Sequence, residues 1–512
     1  MHVAWSGSLQ TLADRFGEVA AVSDGRGTYL SYRALGESAH ALARHIMGVK
    51  KINLGDPWLT LLPNQVQAVV ASYAIRLTGA AEVPIGWKST DQEIAWCANL
   101  SKGTHVLTLQ ERSDAVKALG LIPVALDTLQ LQAGAFEVMP SVDADAPGRI
   151  LFTSGTTGKP KGVLYSHGRR WIGEQMLKAS LPFLPGPGEK ILLMTPFVHG
   201  SSLLTYAWCD HGGHVVLLDG VDMPQVRREL SDAALTAIFA PPTVLAKLTA
   251  ELEGEKYTQV RCIFTGTQPL TATIYARAQA IFGPVVRVTY GKSECVNPIT
   301  VLSKQETETY FSQPILPAGA CVGYPAPGVE LRIAQPDDAQ AEPGDGEIWL
   351  RAPQMSLGMI TPDGFVAHQP DGWHQTGDLG HIDAQGRLVL TGRVADVIKT
   401  GGYRVNPDEI EATLAALGTT TQVCVTSLPS DYWGEIIVAV AEYAEPGWEE
   451  AAKERVKGLS RHKQPRLHLE LSQLPRNPQG KVSRRLVREC LLNQYDLIDG
   501  PYPHVVLRQD VS

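Results

Sequence analysis

From near the N-terminus onward, apolar runs short enough for strands alternate with stretches whose apolar residues recur at helical spacing. Arg33 to Met47 carries the helical pattern, Trp58 to Leu62 reads as a strand, and Gln65 to Leu77 reads as a second helix. A chain that repeats strand then helix joins neighbouring strands by helical crossovers, which predicts an α/β fold with largely parallel sheets. Of 512 residues, 44% are hydrophobic and 19% charged. That length corresponds to about three to five compact units with substantial cores.

The texture changes between about Pro325 and Leu390. Short strands, Val329 to Ile333, Gly346 to Leu350 and Arg387 to Leu390, are separated by turn residues such as Pro343-Gly344-Asp345 and Asp383-Ala384-Gln385-Gly386, which predicts a small β subdomain. After Thr391-Gly392-Arg393 the α/β texture returns. Helices are expected over Pro407 to Leu417 and Trp448 to Leu459, with strands near Gln422 to Thr426 and Ile436 to Tyr443.

Charge and cysteine usage remove several classes of function. The 45 Lys and Arg against 53 Asp and Glu give a net charge of −8, with no like-charge block. A nucleic-acid-binding chain would be basic, so no nucleic-acid partner is expected. Cysteines 97, 209, 262, 295, 321, 424 and 490 form no C-x-x-C pair or metal cluster and read as reduced core thiols. The start, Met1-His2-Val3-Ala4-Trp5, lacks a basic region followed by an apolar stretch. No run approaches the ~18 apolar residues of a membrane span, so a cytoplasmic location without membrane insertion is expected.

The most informative segment is Leu151-Phe152-Thr153-Ser154-Gly155-Thr156-Thr157-Gly158-Lys159-Pro160-Lys161-Gly162-Val163. An apolar strand runs into a loop of hydroxyls, glycines and lysines. Closely spaced amides, small side chains and nearby cations are what a polyphosphate needs. The loop differs from the P-loop of NTPases, in which four residues separate the glycines and Ser or Thr follows the Lys. Here two residues separate Gly155 from Gly158, and Pro160 follows Lys159.

Thr153 to Gly162 matches, residue for residue, the T-S-G-T-T-G-x-P-K-G loop of the acyl-adenylate-forming superfamily, and the chain resembles that family of acyl-CoA synthetases, peptide-synthetase adenylation domains and beetle luciferase. Further motifs follow in order over about residues 28 to 490. Tyr290-Gly291-Lys292-Ser293-Glu294 is similar to Y-G-x-T-E, with Ser293 in place of Thr; Gly266-Thr267-Gln268-Pro269-Leu270 resembles the segment beside the adenine. Thr376-Gly377-Asp378, Thr391-Gly392-Arg393 and Gly480-Lys481 resemble the family's ribose-binding Asp, its G-R and its C-terminal catalytic lysine.

The resemblance implies an N-terminal AMP-binding domain over 1–393, built of two α/β sheet subdomains plus the β-rich part near 325–390. A mobile, small α+β C-terminal domain would cover 394–495 and a tail 496–512. It implies ATP, Mg²⁺ and coenzyme A as reaction partners. Lys481, Glu294 and His199 would be catalytic, with Glu294 also holding the metal. ATP or AMP would be bound by Thr153, Ser154, Gly155, Thr156, Thr157, Gly158, Lys159, Lys161, Gly266, Thr267, Gln268, Tyr290, Gly291, Ser293, Asp378, Arg393 and Lys399.

Two segments point to coenzyme A as the acceptor. Pro196-Phe197-Val198-His199-Gly200 resembles the P-x-x-H segment of acyl-CoA synthetases. Lys399-Thr400-Gly401-Gly402-Tyr403-Arg404-Val405 resembles their pantetheine passage, with Gly401, Gly402, Tyr403 and Arg404 at the coenzyme. The acyl pocket is expected to draw on Phe197, Val198, Phe239, Thr265, Lys292 and Cys295, a mostly small or apolar set suited to an aliphatic or aryl monocarboxylate. Lys292 either reaches solvent or phosphate, or reads a polar group on the acid. The hinge, where the family carries Asp or Lys, here falls on Ala395 with Asp396 next.

The chain is therefore expected to be an ATP-dependent carboxylic acid–CoA ligase. Two readings stand beside it: an adenylating enzyme that loads a separate carrier protein, and a nucleotide-binding regulator without catalysis. The regulator predicts loss of Lys481, Glu294 or Asp378, and all three are present.

Overall fold

A computed structural model of the full chain describes residues 2–3, 5–49, 51–131, 136, 139, 141–153, 160–317, 319–334, 345–415, 417, 421–476 and 481–508. Its contacts divide the chain into two compact units. The first holds Met1–Pro314, Val322–Glu330 and Arg351–His374; the second holds Ile315–Cys321, Leu331–Leu350 and Gln375–Ser512.

The α/β expectation holds, and the elements differ from their sequence limits by a residue or two at most ends. The expected helix, strand and helix are present in the first unit as helix Tyr32–Val49, strand Pro57–Leu62 and helix Val66–Thr78, preceded by helix Trp5–Phe16 and a pair of short strands, Ala20–Asp24 and Tyr29–Ser31. One of its sheets runs, in spatial order, Gly364–Ala367, Gly358–Thr361, Lys161–Ser166, Pro147–Thr153, Ala81–Gly86, Pro57–Leu62, His105–Thr108 and Ile122–Ala125. Pro147–Thr153, Ala81–Gly86, Pro57–Leu62 and His105–Thr108 pair in parallel, whereas Lys161–Ser166 is antiparallel to both of its neighbours. Along Pro57–Leu62, Trp58 and Leu62 enter one core cluster while Leu59 and Leu61 enter another, as helices on both sides require.

The other sheet of this unit contains the sequence of neighbours Cys295–Leu302, Val286–Lys292, Cys262–Gly266, Leu235–Phe239, Lys190–Leu193 and His214–Leu217. Cys262 and Phe264 face one core cluster and Ile263 the other, so this sheet too is covered on both faces. Strands from the β-rich stretch occur in both units. Gly358–Thr361 pairs with Lys161–Ser166, whereas Leu388–Arg393 pairs with His374–Ile382.

In the second unit, Gly434–Glu442 lies between Ile398–Thr400 and Gln422–Ser430, with Leu467–Leu471 alongside. Period-two alternation divides its side chains. Ile437, Ala439 and Ala441 pack with Ile410 and Leu414 of helix Pro407–Ala415 and with Trp448 and Val456 of helix Trp448–Val456. Ile436, Val438 and Val440 pack with Val487 and Leu491 of helix Arg484–Gln494. Residues after that helix, expected as a tail, contain a hairpin of Tyr495–Ile498 and His504–Leu507. All seven cysteines are free, and among the described residues no helix is long and apolar enough to cross a membrane.

Candidate active site

In the first unit the two strands flanking the phosphate loop are antiparallel, with Thr153 opposite Lys161. Ser154, Gly155, Thr156, Thr157, Gly158 and Lys159 lie outside the described residues. The far end of the loop is fixed by Trp96, whose indole N–H donates to the Pro160 carbonyl at 2.8 Å.

The Tyr290-Gly291-Lys292-Ser293-Glu294 segment closes a hairpin in which Lys292 is opposite Cys295. Tyr290 and Cys295 are buried, and Ser293 is exposed at the tip. Two contacts hold that tip. The Tyr165 hydroxyl donates to the Ser293 carbonyl at 2.6 Å, and the Ser356 amide donates to the Glu294 carbonyl at 2.8 Å. Ser356 is itself bonded through Oγ to His368 Nε2 at 2.7 Å.

Beside the hairpin, strand Cys262–Gly266 ends in Gly266-Thr267-Gln268. A side chain at Gly266 would place Cβ 2.3 Å from the Thr289 carbonyl oxygen, so only glycine fits this approach. Thr267 follows with φ of +72°, an uncommon conformation for a β-branched residue and one that clusters at ligand sites. The buried Thr265 Oγ1 and Gln268 Oε1 have no hydrogen-bond partner. Buried polar atoms are rarely left so. Among the described residues, no group of three or more His, Cys, Asp or Glu could hold a metal unaided. Glu294 fits Mg²⁺ in the manner of nucleotide enzymes, where one or two carboxylates and the phosphates share the ion.

Phe197, Val198 and His199 fall on a π-helical turn, Phe197–Ser201. The His199 side chain is outside the described set. The turn approaches Phe239 at Gly200, where a Cβ would lie 3.2 Å from the ring. The structure thereby brings together two of the expected acyl-pocket segments.

In the second unit Asp378 and Arg393 are directly opposite on paired strands, with Arg393 Nε 3.3 Å from the buried Asp378 carboxylate. The Asp378 amide donates to Thr376 Oγ1 at 3.1 Å. Ala395 and Asp396 form part of the single-turn 3₁₀ helix Val394–Asp396. Asp396 is bound by Arg484, Nη1 to Oδ2 at 2.7 Å, and the same guanidinium reaches Glu411 at 2.6 Å and also Asp408. Lys481, three residues earlier, is partly buried. Burial, with the Arg393 charge adding to it, pushes its ammonium down to about 8.

The segment expected at the coenzyme is the hairpin Ile398–Thr400 with Tyr403–Val405, Lys399 lying opposite Arg404. The Lys399 amide donates to the Glu435 carboxylate at 2.8 Å. Gly401 and Gly402 both have positive φ, +55° and +83°. Gly401 is bonded through its amide to the Trp433 carbonyl at 2.8 Å, and the Tyr403 ring stacks on His462 with centroids 4.2 Å apart.

Several of these residues carry no signal in sequence. Trp96, Tyr165, Ser356 and Arg484 act on motif residues that only the fold brings near them. Thr267 had a signal of position only.

A family model described as AMP-binding enzyme matches residues 9–359. The chain belongs to the AMP-binding enzyme family. This AMP-binding enzyme is 27% identical over 486 residues to a 2-succinylbenzoate–CoA ligase of Geobacillus sp. (strain WCH70), covering 93% of this chain and 95% of that one. It is 26% identical over 516 residues to a 4-chlorobenzoate–CoA ligase of Arthrobacter sp, covering 96% and 94%. Its fold matches o-succinylbenzoate CoA synthetase from Bacillus subtilis in complex with its acyl-adenylate intermediate, with a TM-score of 0.82 at 23% identity and coverage of 97% and 99%. The expectation of an ATP-dependent acid–CoA ligase, an enzyme forming carbon–sulfur bonds, agrees with these relatives.

Proposed function

We propose that this AMP-binding enzyme adenylates a small monocarboxylic acid, aliphatic or aryl, releases pyrophosphate, and passes the acyl group to the thiol of free coenzyme A. The observation that carries the assignment of residues is the hairpin tip at Ser293 and Glu294, tied by Tyr165 to the strand that leaves the phosphate loop. A carboxylate that shares Mg²⁺ with phosphates needs to be held at a fixed distance from the loop that binds them.

In the adenylation step the acid's carboxylate attacks the α-phosphorus, so two anions must be brought together. Thr153, Lys161 and the loop between them would hold the β- and γ-phosphates, and Gly266, Thr267 and Gln268 would lie at the base. Asp378 and Arg393 would receive the ribose hydroxyls. Glu294 would hold Mg²⁺, which supplies charge withdrawal from the departing pyrophosphate. Lys481 would bridge the acid's carboxylate and an α-phosphate oxygen, donating to the charge that develops there. In the second step the thiol would enter past Gly401 and Gly402 and displace AMP from the acyl carbon. That change of occupant requires the segment bearing Lys481 to turn about Ala395.

Both named relatives act on substituted benzoates, which makes benzoate-type acids the first to try. The test is a panel of aryl and aliphatic acids scored by pyrophosphate release, followed by AMP and acyl-CoA formation with free coenzyme A. Acid-dependent pyrophosphate release with a thioester on free coenzyme A is the expected result. Thioester formed only on a phosphopantetheinylated carrier protein would contradict the choice of acceptor, and ATP binding without pyrophosphate release from any acid would contradict catalysis.

A further inference from the structure

We infer that Arg149 is a positioning residue for the acyl pocket, fixing the π-helical turn Phe197–Ser201 from the strand that feeds the phosphate loop; this rests on the proposed adenylation of an acid and on the expected place of Phe197 and Val198 in its pocket.

Arg149 lies four residues before Thr153 on the strand Pro147–Thr153 and is 1% exposed. Directly opposite it in the parallel register is Glu82, 2% exposed, and the two form an ion pair with Nη1 3.1 Å from Oε2. An ion pair buried this deeply adds little stability over two well-packed apolar side chains, because desolvation offsets the attraction. What distinguishes it is where the guanidinium reaches. Glu82 faces Nη1 as a charge contact without a hydrogen bond, and Nη2 extends to the π-helical turn and the residue that follows it, donating to the Val198 carbonyl at 3.3 Å and to Ser202 Oγ at 3.2 Å.

The turn needs such an anchor. Its i→i+5 hydrogen-bond spacing is rare in proteins, and such single turns are frequent at functional sites. Ser201 fixes one end, with Oγ donating to the Thr195 carbonyl at 2.9 Å and lying 2.6 Å from Thr195 Oγ1. Arg149 holds the turn near its start, at Val198, and just past its end, at Ser202. Gly200, between these two anchors, is the point that closes on Phe239. A planar fork with one arm on a carboxylate and the other on a carbonyl and a hydroxyl can set this geometry, whereas a lysine ammonium satisfies the carboxylate without spanning the gap. Arg149 thus links two parts of the proposed site, its backbone leading to the phosphate loop and its side chain holding the wall against which the acid is placed.

Arg149→Lys keeps the charge beside Glu82 and loses the second reach, and Ser202→Ala removes one of the two contacts while leaving the ion pair whole. Both are compared with Ser202→Thr, which keeps the hydroxyl. The KM for the acid is expected to rise about fivefold in Ser202→Ala, on the scale of one buried hydrogen bond, and about tenfold in Arg149→Lys, on the scale of a charge-assisted one. The KM for ATP stays within about twofold in both, the preference between the best and second-best acid narrows, and Ser202→Thr returns toward wild type. Unchanged acid KM and preference in folded Arg149→Lys and Ser202→Ala would overturn the inference, as would equal rises in the KM for acid and for ATP. A wild-type enzyme that turns over no acid would instead overturn the proposed function.

Discussion

The Tyr165 hydroxyl donates to the Ser293 carbonyl at 2.6 Å, joining the strand that leaves the phosphate loop to the hairpin tip that carries Glu294. Tyr165 is 1% exposed, and burial raises its hydroxyl far above the ordinary tyrosine range, so it stays a donor at any working pH. The bond holds the proposed metal carboxylate in register with the proposed phosphate-binding residues. Tyr165→Phe keeps the packing and removes the bond, leaving the Ser293 carbonyl without this donor. Loss of one such bond costs about 1 kcal/mol, or roughly fivefold. We expect the KM for Mg·ATP to rise by that factor while the KM for coenzyme A is unchanged; an unchanged Mg·ATP KM would separate Tyr165 from nucleotide binding.

The depressed Lys481 ammonium is expected to give the adenylation step a basic limb. Its pKa of about 8 reflects burial first and the Arg393 charge second. Below that pH the ammonium is charged and can donate to the transition state; above it the amine is neutral and the contact weakens. At low ATP, adenylation therefore falls as pH rises through about 8. Saturating ATP brings negative charge to the lysine and moves the limb to higher pH. Thioester formation from a supplied acyl adenylate lacks this limb. Identical pH profiles for the two half-reactions would mean that another group titrates.

Much of this site was legible because its chemistry is local in sequence. Thr153 to Gly162, the Tyr290 to Glu294 segment and Thr376-Gly377-Asp378 are contiguous runs whose residue order carries their chemistry, and alternating strand and helix periods gave the α/β class. What was hidden depends on strand order and side-chain reach. Tyr165 and Ser293 are 128 residues apart, and Arg149 and Ser202 are 53 apart. Asp396, Asp408 and Glu411 meet Arg484 across 88, 76 and 73 residues. No local period encodes such pairings. The hairpin that begins at Tyr495 falls in a stretch expected as a tail, although its strands pair from Tyr495 with Leu507 to Ile498 with His504.

Gly402 combines two requirements that substitution can separate. Its φ of +83° favours glycine, and a Cβ there would meet nothing within 4 Å, so the space beside it is open. Asn tolerates the left-handed region better than other side chains, whereas Leu is strained there and bulky. If the open space is the thiol's path, both Gly402→Asn and Gly402→Leu suppress thioester formation, Leu the more severely, and both spare pyrophosphate release. A Gly402→Leu enzyme with normal coenzyme A turnover would show that the thiol travels elsewhere.

The Arg484 contact narrows the hinge. With its carboxylate 2.7 Å from Arg484 Nη1, Asp396 at the end of the one-turn helix Val394–Asp396 is fastened to helix Arg484–Gln494, whereas Ala395 beside it is exposed. Rotation is therefore expected at or before Ala395. Proline there fixes φ near −65° and removes an amide. Ala395→Pro should preserve adenylation, slow thioester formation from a supplied acyl adenylate by at least roughly tenfold, and leave thermal stability almost unchanged. Wild-type rates in both half-reactions would move the pivot away from Ala395.

The central claim is that Lys481 serves the adenylation transition state alone, and the decisive measurement compares both half-reactions in Lys481→Ala. Removing a donor from a developing charge typically costs about 3–4 kcal/mol, or roughly 10²–10³ in rate. Single-turnover acyl-AMP formation is expected to fall by that factor, while thioester formation from a supplied acyl adenylate and coenzyme A stays within about twofold of wild type. Equal losses in the two half-reactions, or an unimpaired rate of acyl-AMP formation, would contradict the account.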